Sequence, residues 1–383
     1  MKSKNKVAVV YRVIQGWRVP VFQRLAKTND FKIFYGCDFK ETKVVSALGP
    51  FDFEAKKMFS FPLGVRKKHG NMLLPFSPFL FFELLEFKPD VVLCEGASNF
   101  LNNISIFLYC KIFRKKMIQW GLGEIRGRKK SKVRALLDCF IVPIEKRADA
   151  IVAYSSEGGR YYENIGISRE KIFIAVNVVD TDNRAEEIAN FELGRCPVNT
   201  EFEDVFKVLF VGALESNKNI EMLIKSFSRL HEKHSNTELH IVGAGQYLKF
   251  LKELVQHLGI SEVVFFHGRV EGPLINIVYD KDIFVMPGLG GLAVSDMLCH
   301  GIPVICSVGD GCELDLINSE NGIVDDELDE NSLLFYLECL INDPYRLKSM
   351  KENAKKSIET YNIDNYVSQI NRAIRFSLGD MNG

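Results

Sequence analysis

The chain has 383 residues, of which 47% are hydrophobic and 26% charged, and this composition predicts a globular protein of two ordinary domains. Its 49 basic and 49 acidic residues cancel, so the overall charge gives no case for binding nucleic acid. The nine cysteines form no C-x-x-C pair and lack metal-ligand spacing, so we predict reduced thiols in a cytoplasmic protein without a metal site. Neither a signal peptide nor a membrane span is predicted.

Buried strands alternate with loops and helices through the first half of the chain. The strand Val7–Tyr11 leads into a loop that contains Gly16, and a helix follows from about Val19. Further strands are predicted over residues 31–35, 91–94 and 117–120, and residues 148–155 are predicted to form another strand that runs into a loop. Loops at the carboxyl ends of such strands line the ligand sites of parallel sheets.

Two unusual segments of the first half each allow two interpretations. The Phe-rich segment Leu73–Phe87 is either a buried helix or an aromatic surface that dips into a lipid interface. The basic run Arg126–Arg134 is either a solvated helix face or a contact with anionic lipid or an acceptor diphosphate. His69, in an irregular segment, is interpreted as a surface residue.

The alternation of strands and helices stops once and then starts again. Residues 181–204 lose periodicity and gain charge, which indicates a linker. Strands over 208–211, 238–242 and 263–266 then alternate with amphipathic helices. This pattern predicts two parallel-sheet domains of Rossmann type, with ligands bound at the strand ends that face each other across a cleft.

One stretch of the second half suits anion binding. It reads MPGLGGLAVSDMLCHGIPVICS and combines a strand, a glycine turn and a helix that carries Asp296 in its second turn. A glycine turn lets backbone approach a ligand closely, and amides at a helix start attract a diphosphate. The other interpretation is a strand–turn–helix corner that binds no ligand.

The order of these motifs resembles a known family, the retaining GT-B glycosyltransferases of family four, in their bacterial surface-polysaccharide type. The resemblance rests on FVGALESNKNIEMLIKSF, ELHIVGAGQ, VVFFHGRV, DIFVMPG, HGIPVI and NGIV, which follow one another in the family's order. It implies an α/β GT-B fold with two Rossmann-like domains facing each other across a cleft. The domains expected from it are an acceptor-side domain at 1–185, a linker at 186–206, a nucleotide-sugar domain at 207–360 and a helical tail at 361–383 that packs back toward the first domain.

The resemblance also implies roles for particular residues. Lys218 would hold the donor diphosphate and Asp296 the ribose, and these two form the predicted catalytic set. The family's usual arginine is replaced by Ala213, and its first carboxylate by Gly288; its N-domain histidine falls near 121–123 and is missing. The full donor-binding set is Gly16, Gly212, Lys218, Arg269, Gly288, Gly290, Gly291, Leu292 and Asp296, and the acceptor-side set is Arg18, Glu95 and Glu124.

The function implied is transfer of a hexose-type sugar from a nucleoside-diphosphate sugar to a glycan or lipid-linked acceptor. The expected pathway is cell-surface polysaccharide biosynthesis, with no metal and no cofactor beyond the nucleotide sugar as co-substrate. We predict a cytoplasmic enzyme and hypothesise peripheral association with an anionic membrane at its inner face. The alternatives are a nucleotide-sugar epimerase of the same fold and a non-catalytic sugar-nucleotide-binding relative.

Overall fold

The computed structural model describes residues 4–36, 46–65, 72–96, 99–124, 132–194 and 205–380. It contains two compact units, one formed by residues 1–176 with 364–383 and the other by residues 177–363. His69 and most of the basic run Arg126–Arg134 lie outside the described residues, as do the side chains of 132–134. None of the helices in the described ranges has the length and apolarity that crossing a bilayer requires.

The first unit is built on a seven-stranded parallel sheet with a separate two-stranded hairpin. The sheet order is β3-β2-β1-β6-β7-β8-β9, and β4 pairs with β5. The strands are β1 Lys6–Tyr11, β2 Asp30–Tyr35, β3 Glu54–Lys57, β4 Phe61–Val65, β5 Met72–Phe76, β6 Val91–Glu95, β7 Lys116–Gly121, β8 Ala150–Ala153 and β9 Ile172–Ile174. The helices are α1 Val19–Thr28, α2 Leu80–Phe87, α3 Phe100–Phe113, α4 Lys132–Glu145 and α5 Ser156–Asn164, and α14 Ile363–Leu378 joins them from the far end of the chain.

The second unit is built on a six-stranded parallel sheet of order β12-β11-β10-β13-β14-β15. Its strands are β10 Phe206–Val211, β11 Thr237–Val242, β12 Val264–Gly268, β13 Ile283–Met286, β14 Val304–Cys306 and β15 Gly322–Val324. Its helices are α6 Thr181–Gly194, α7 Ile220–Lys233, α8 Leu248–His257, α9 Ile275–Val278, α10 Ala293–Cys299, α11 Glu313–Leu316, α12 Glu330–Ile341 and α13 Pro344–Thr360.

Both sheets have the apolar strands that a fully covered parallel sheet requires. The central strands β1 and β10 are almost wholly buried, and so are β6 and β13 beside them. Helix α7 shows how the coverage is made, because Ile220, Leu223, Ile224, Phe227 and Leu230 lie on one face and are all buried. The predicted α/β class with two Rossmann-like units is therefore confirmed.

The division of the chain differs from the predicted boundaries. The segment 181–204 is not an aperiodic linker at its start, because residues 181–194 form α6 within the second unit. Two contacts stabilise the helix there: Phe191 lies 5.1 Å from the Tyr279 ring, and Arg184 binds Asp296 on α10. The unit boundary falls between Val176 and Asn177 rather than at 186–206.

The Phe-rich segment is divided between two elements and two environments. Its first residues form β5, and its helix α2 begins only at Leu80. Leu80, Leu84 and Phe87 are buried against the sheet, whereas Phe79 and Phe82 are exposed. The segment therefore combines a buried face with an aromatic surface.

Candidate functional site

A glycine turn after β13 packs directly against the loop after β10. A Cβ on Gly288 would lie 2.4 Å from the Asn217 carbonyl oxygen and 2.6 Å from the Lys218 Cα, so no side chain fits between them. The amide of Leu289 donates to the Asn217 carbonyl at 3.3 Å. Gly291 has a φ of +140°, which L side chains rarely adopt. One glycine of the turn is thus required by contact and another by backbone conformation.

Lys218 reaches across this contact to the turn itself. Its Nζ donates to the Leu289 carbonyl and, at 3.1 Å, to the Gly290 carbonyl. Burial lowers the pKa of Lys218 below its ordinary value, while the nearby carboxylates of Asp310 and Glu215 oppose that effect. An ammonium has three N–H donors, so the two carbonyls leave a third for a ligand.

The loop after β14 packs against the glycine turn. A Cβ on Gly309 would lie 2.6 Å from the Gly290 amide nitrogen. The carboxylate of Glu313, which is buried, accepts hydrogen bonds from the Gly309 amide and, at 3.2 Å, from the Gly311 amide. Burial and the neighbouring Asp310 raise the pKa of Glu313 to about 7. A carboxyl group that titrates near neutrality therefore fixes this loop beside the turn.

Asp296 lies on α10 and is held by a guanidinium. Arg184 Nε donates to one carboxylate oxygen at 2.7 Å and Nη2 to the other at 3.2 Å. Arg184 Nη1 also donates to Glu187 at 2.6 Å, and His300 Nε2 lies 3.6 Å from Asp296 Oδ1. Both oxygens of Asp296 are thus already engaged, and their orientation is fixed by a residue of α6.

The loops of the first unit hold the remaining predicted residues. Gly16 is exposed and opens the short 3-10 turn Gly16–Arg18 before α1, with no atom within 4 Å of an added Cβ. Glu95, at the end of β6, accepts a hydrogen bond from the Arg12 amide at 2.8 Å. Glu124 is half-buried and follows β7. These two carboxylates lie after neighbouring strands of the sheet.

Arg18 lies inside the first unit instead of at its surface. Its guanidinium carbon is 4.2 Å from the Trp17 ring centroid, 4.8 Å from Tyr154, 4.9 Å from Trp120 and 5.3 Å from Tyr366. Nη1 donates to the Tyr366 hydroxyl. Aromatic faces stabilise a cation that burial has stripped of water, which accounts for the four rings around it. The expectation that Arg18 meets an acceptor is corrected, because the side chain is 1% exposed.

The match to a family model coincides with the unit that holds the glycine turn. Residues 197–357 match the model of the family Glycosyl transferases group 1. Within the described ranges, no group of three or more His, Cys, Asp and Glu side chains is arranged to hold a metal ion.

Two relatives extend this likeness. An uncharacterized glycosyltransferase of Methanocaldococcus jannaschii is 29% identical over 236 residues, 58% of this chain and 57% of the relative. The GDP-mannose-dependent alpha-(1-6)-phosphatidylinositol monomannoside mannosyltransferase of Mycolicibacterium smegmatis is 29% identical over 183 residues, 45% of each protein. The chain thus spans about half the length of the curated relatives it matches.

The likeness to solved structures extends over almost the whole chain. The crystal structure of Anabaena HepE in complex with UDP matches 96% of this chain and 99% of that one, with a TM-score of 0.73 at 14% identity. At this level of identity the likeness concerns the fold, which is that of the GT-B glycosyltransferases. The α/β class with two Rossmann-like domains that the sequence predicts is therefore confirmed.

The structure brings one part of the predicted donor-binding set together within the second unit. Lys218 contacts Leu289 and Gly290, while Gly288 contacts the backbone of Lys218. Gly212 lies at the end of β10, where a Cβ on Gly243 would overlap its carbonyl oxygen. Arg269 is exposed after β12, and Ala213 is also exposed.

Two residues of this region were absent from the predicted set. Arg184 lies in the segment interpreted as a linker, where a lone arginine among acidic residues was the available signal. Glu313 follows the Gly309–Gly311 turn, whose position beside Gly290 depends on strand order rather than on sequence spacing.

Proposed function

We propose that the protein is a retaining, metal-independent glycosyltransferase. It transfers a hexose-type sugar from a nucleoside-diphosphate sugar to a glycan or lipid-linked acceptor. The observation that carries this proposal is the Lys218 ammonium held against the carbonyls of the glycine turn, with a donor left for a ligand. A cation and close-approaching backbone at one spot suit a diphosphate.

The chemistry requires stabilisation of a leaving diphosphate. The bond between the anomeric carbon and the phosphate oxygen breaks, and negative charge develops on the diphosphate. Lys218, the amides around Gly290, Gly291 and Leu292, and the Gly16 loop stabilise that charge. The acceptor hydroxyl attacks from the side of the leaving group and gives its proton to the departing phosphate, so the anomeric configuration is retained. Fixed positive charge thus stabilises the leaving diphosphate, a role that a bound metal ion has in other enzymes.

The nucleotide half of the donor has its own proposed partners. Asp296 accepts a hydrogen bond from a ribose hydroxyl through lone pairs that Arg184 leaves open, since each carboxylate oxygen has two acceptor sites. Arg269 and Gly212 line the nucleobase side. The named relatives support the donor class but differ in base, since HepE was solved with UDP and the mycobacterial enzyme depends on GDP-mannose.

The acceptor side belongs to the first unit. Glu95 and Glu124 are proposed to bind acceptor hydroxyl groups, since carboxylates accept such hydrogen bonds. Arg18 acts from inside the unit, where it fixes the turn that begins at Gly16. The proposed setting is cell-surface polysaccharide biosynthesis, such as lipopolysaccharide, capsule or exopolysaccharide, by a cytoplasmic protein peripheral to the membrane.

A panel of nucleotide sugars tests the proposal. Thermal-shift measurements with UDP, GDP and their hexose conjugates identify the donor, and release of nucleoside diphosphate then measures turnover, with and without a chelator. We expect one donor to raise Tm, turnover that the chelator leaves unchanged, and a product with the donor's anomeric configuration by NMR. Release of a free sugar epimer would assign an epimerase instead. Binding without turnover, even with glycan and lipid-linked acceptors present, would assign a non-catalytic binding protein.

A further inference from the structure

The glycine turn of the second unit has an open side next to a buried carboxyl group. A Cβ added to Gly290 would approach two described atoms within 4 Å, Glu313 Oε2 at 3.8 Å and Val294 Cγ2 at 4.0 Å. A Cβ added to Gly291 would meet no described atom within that distance. On Gly288, by contrast, the added Cβ would lie 2.4 Å from backbone. A ligand atom therefore fits beside Gly290, close to Glu313 Oε2.

The two oxygens of the Glu313 carboxyl have different surroundings. Both hydrogen bonds that the described residues donate to this carboxyl end on Oε1, one from the Gly309 amide and one, at 3.2 Å, from the Gly311 amide. Oε2 faces Gly290 and receives neither of them. Glu313 is nevertheless only 1% exposed. Because a buried polar atom without a partner costs free energy, a ligand that supplies a hydrogen bond to Oε2 would be favoured.

The charges around Glu313 determine which protonation state a bound donor favours. Burial and the neighbouring Asp310 both disfavour the ionised carboxyl. The thiols of Cys306 and Cys312 also face it, and burial raises the pKa of both, which keeps them neutral. Lys218 is the nearby cation, and Asp310 lies close to it as well. A diphosphate bound at Lys218 adds further negative charge, so we expect Glu313 to be protonated in the complex.

The position of that proton follows from the hydrogen bonds already present. Because Oε1 accepts from two amides, its acceptor sites are filled and the proton belongs on Oε2. The protonated Oε2 is then a hydrogen-bond donor on the open side of Gly290. The sugar of a nucleotide sugar is bonded directly to the diphosphate, so it lies next to the turn when the diphosphate lies at Lys218. A sugar hydroxyl oxygen is an acceptor that suits this donor.

We infer that Glu313 binds the sugar of the donor, through a hydrogen bond from its protonated Oε2 to a sugar hydroxyl oxygen. The inference rests on the proposed function and adds to it a residue that distinguishes a nucleotide sugar from the bare nucleotide. When the donor binds, a proton passes from solvent to Oε2, and the new O–H donates to the hydroxyl. The diphosphate of a nucleotide sugar takes up no proton near neutral pH, so proton uptake on binding comes from the protein.

Calorimetric titration of the full chain tests the inference, with the UDP- or GDP-hexose that wild type binds as the probe. Titrations in buffers of different ionisation enthalpy measure the protons taken up. At about pH 7.5 we expect uptake of about half a proton, because the pKa of Glu313 is about 7 in the free protein and rises when the diphosphate binds. The same linkage should weaken binding about five- to tenfold between about pH 6.5 and 8.5.

Two variants separate the sugar contact from the support that Glu313 gives its own loop. Glu313→Gln keeps an oxygen for the two amides and an N–H donor in place of Oε2, so it should bind the probe without proton uptake and with an affinity that does not fall as pH rises. Glu313→Leu should weaken binding of the nucleotide sugar about three- to tenfold more than binding of the bare UDP or GDP, because one hydrogen bond to the sugar is lost.

A matched control makes the same chemical change at the surface. Glu320→Gln alters an exposed carboxyl of the same unit and should keep the proton uptake and the affinity of wild type. Binding of the nucleotide sugar without proton uptake, or uptake that persists in Glu313→Gln, overturns this inference and leaves the proposed function standing. If wild type binds no UDP- or GDP-hexose, the proposed function fails and the inference fails with it.

Discussion

The guanidinium of Arg184 binds both carboxylate oxygens of Asp296, at 2.7 and 3.2 Å, and so ties α6 to the helix that follows the glycine turn. The pair is mostly buried, with side-chain exposures of 24% and 13%. Breaking such a pair leaves one charge without its partner in a poorly solvated place. The segment interpreted from sequence as a linker therefore takes part in positioning a proposed ligand group.

This relationship predicts that Arg184 and Asp296 are energetically coupled. In a double-mutant cycle with Arg184→Ala and Asp296→Ala, urea unfolding should give a coupling free energy of about 1–3 kcal/mol. Each single variant should also weaken binding of the bare nucleoside diphosphate by calorimetry, Asp296→Ala more than Arg184→Ala. Arg184→Lys should restore little, because an ammonium cannot make the two-point contact. Additive effects in the cycle would contradict the coupling.

Lys218→Ala should lower turnover by about 10²–10³, because the leaving diphosphate loses its charged donor. The measurement is the initial rate of nucleoside diphosphate release at saturating donor. Lys225→Ala is the control, since Lys225 pairs with Glu221 at 2.8 Å on the surface of α7. An unchanged rate in Lys218→Ala would remove this residue from the mechanism.

Gly288→Ala should separate the Lys218 loop from the glycine turn. The added Cβ would lie 2.4 Å from the Asn217 carbonyl oxygen, so backbone must move. We expect a loss of about 1–3 kcal/mol in the free energy of unfolding together with a loss of turnover. Gly194→Ala, at the end of α6, meets no atom within 4 Å, so it should leave turnover unchanged and should not lower the free energy of unfolding. A fully active Gly288→Ala would show that the close approach has no role.

The substitution Gly16→Ala tests whether Gly16 contacts the donor or is instead needed for folding. The added Cβ meets nothing within 4 Å, so the Tm of the free protein should stay within about 1 °C of wild type, since a substitution that disturbs no packing falls within ±0.5 kcal/mol. If backbone at Gly16 approaches the donor diphosphate, turnover should nevertheless fall by about tenfold or more. Unchanged turnover would remove the Gly16 loop from the donor site.

The buried carboxyl of Glu313 predicts a pH dependence of stability. Its pKa is raised to about 7 in the folded protein from 4.5, so the folded state binds more protons than the unfolded state between those values. Stability should therefore fall as pH rises from about 4.5 to 7, by at most about 3 kcal/mol from this group. Denaturant unfolding of Glu313→Gln across that range should show a smaller decline than wild type. An identical pH profile would contradict the assignment.

The repeated pattern of strands and helices was sufficient to predict the fold, because each covered parallel strand leaves a nearly continuous apolar run such as Val7–Val10. The role of Lys218 beside the glycine turn as a diphosphate ligand was expected only through the family resemblance, and its contact with the carbonyls of the turn was not predicted. Arg184 was missed as a site residue because the packing of α6 on α10, not sequence spacing, brings it to Asp296. The burial of Arg18 was missed because Tyr366 is 348 residues away in the chain.

The return of residues 364–383 to the first unit has a consequence for biosynthesis. Tyr366 closes the aromatic box around Arg18, yet it is translated after the whole of 177–363. At 5–20 residues per second, the ribosome needs on the order of 10–40 s for that interval. During this time the nascent first unit lacks Tyr366, and the Arg18 guanidinium is still exposed to water. The first unit therefore cannot complete its core before the whole of the second unit has been synthesised.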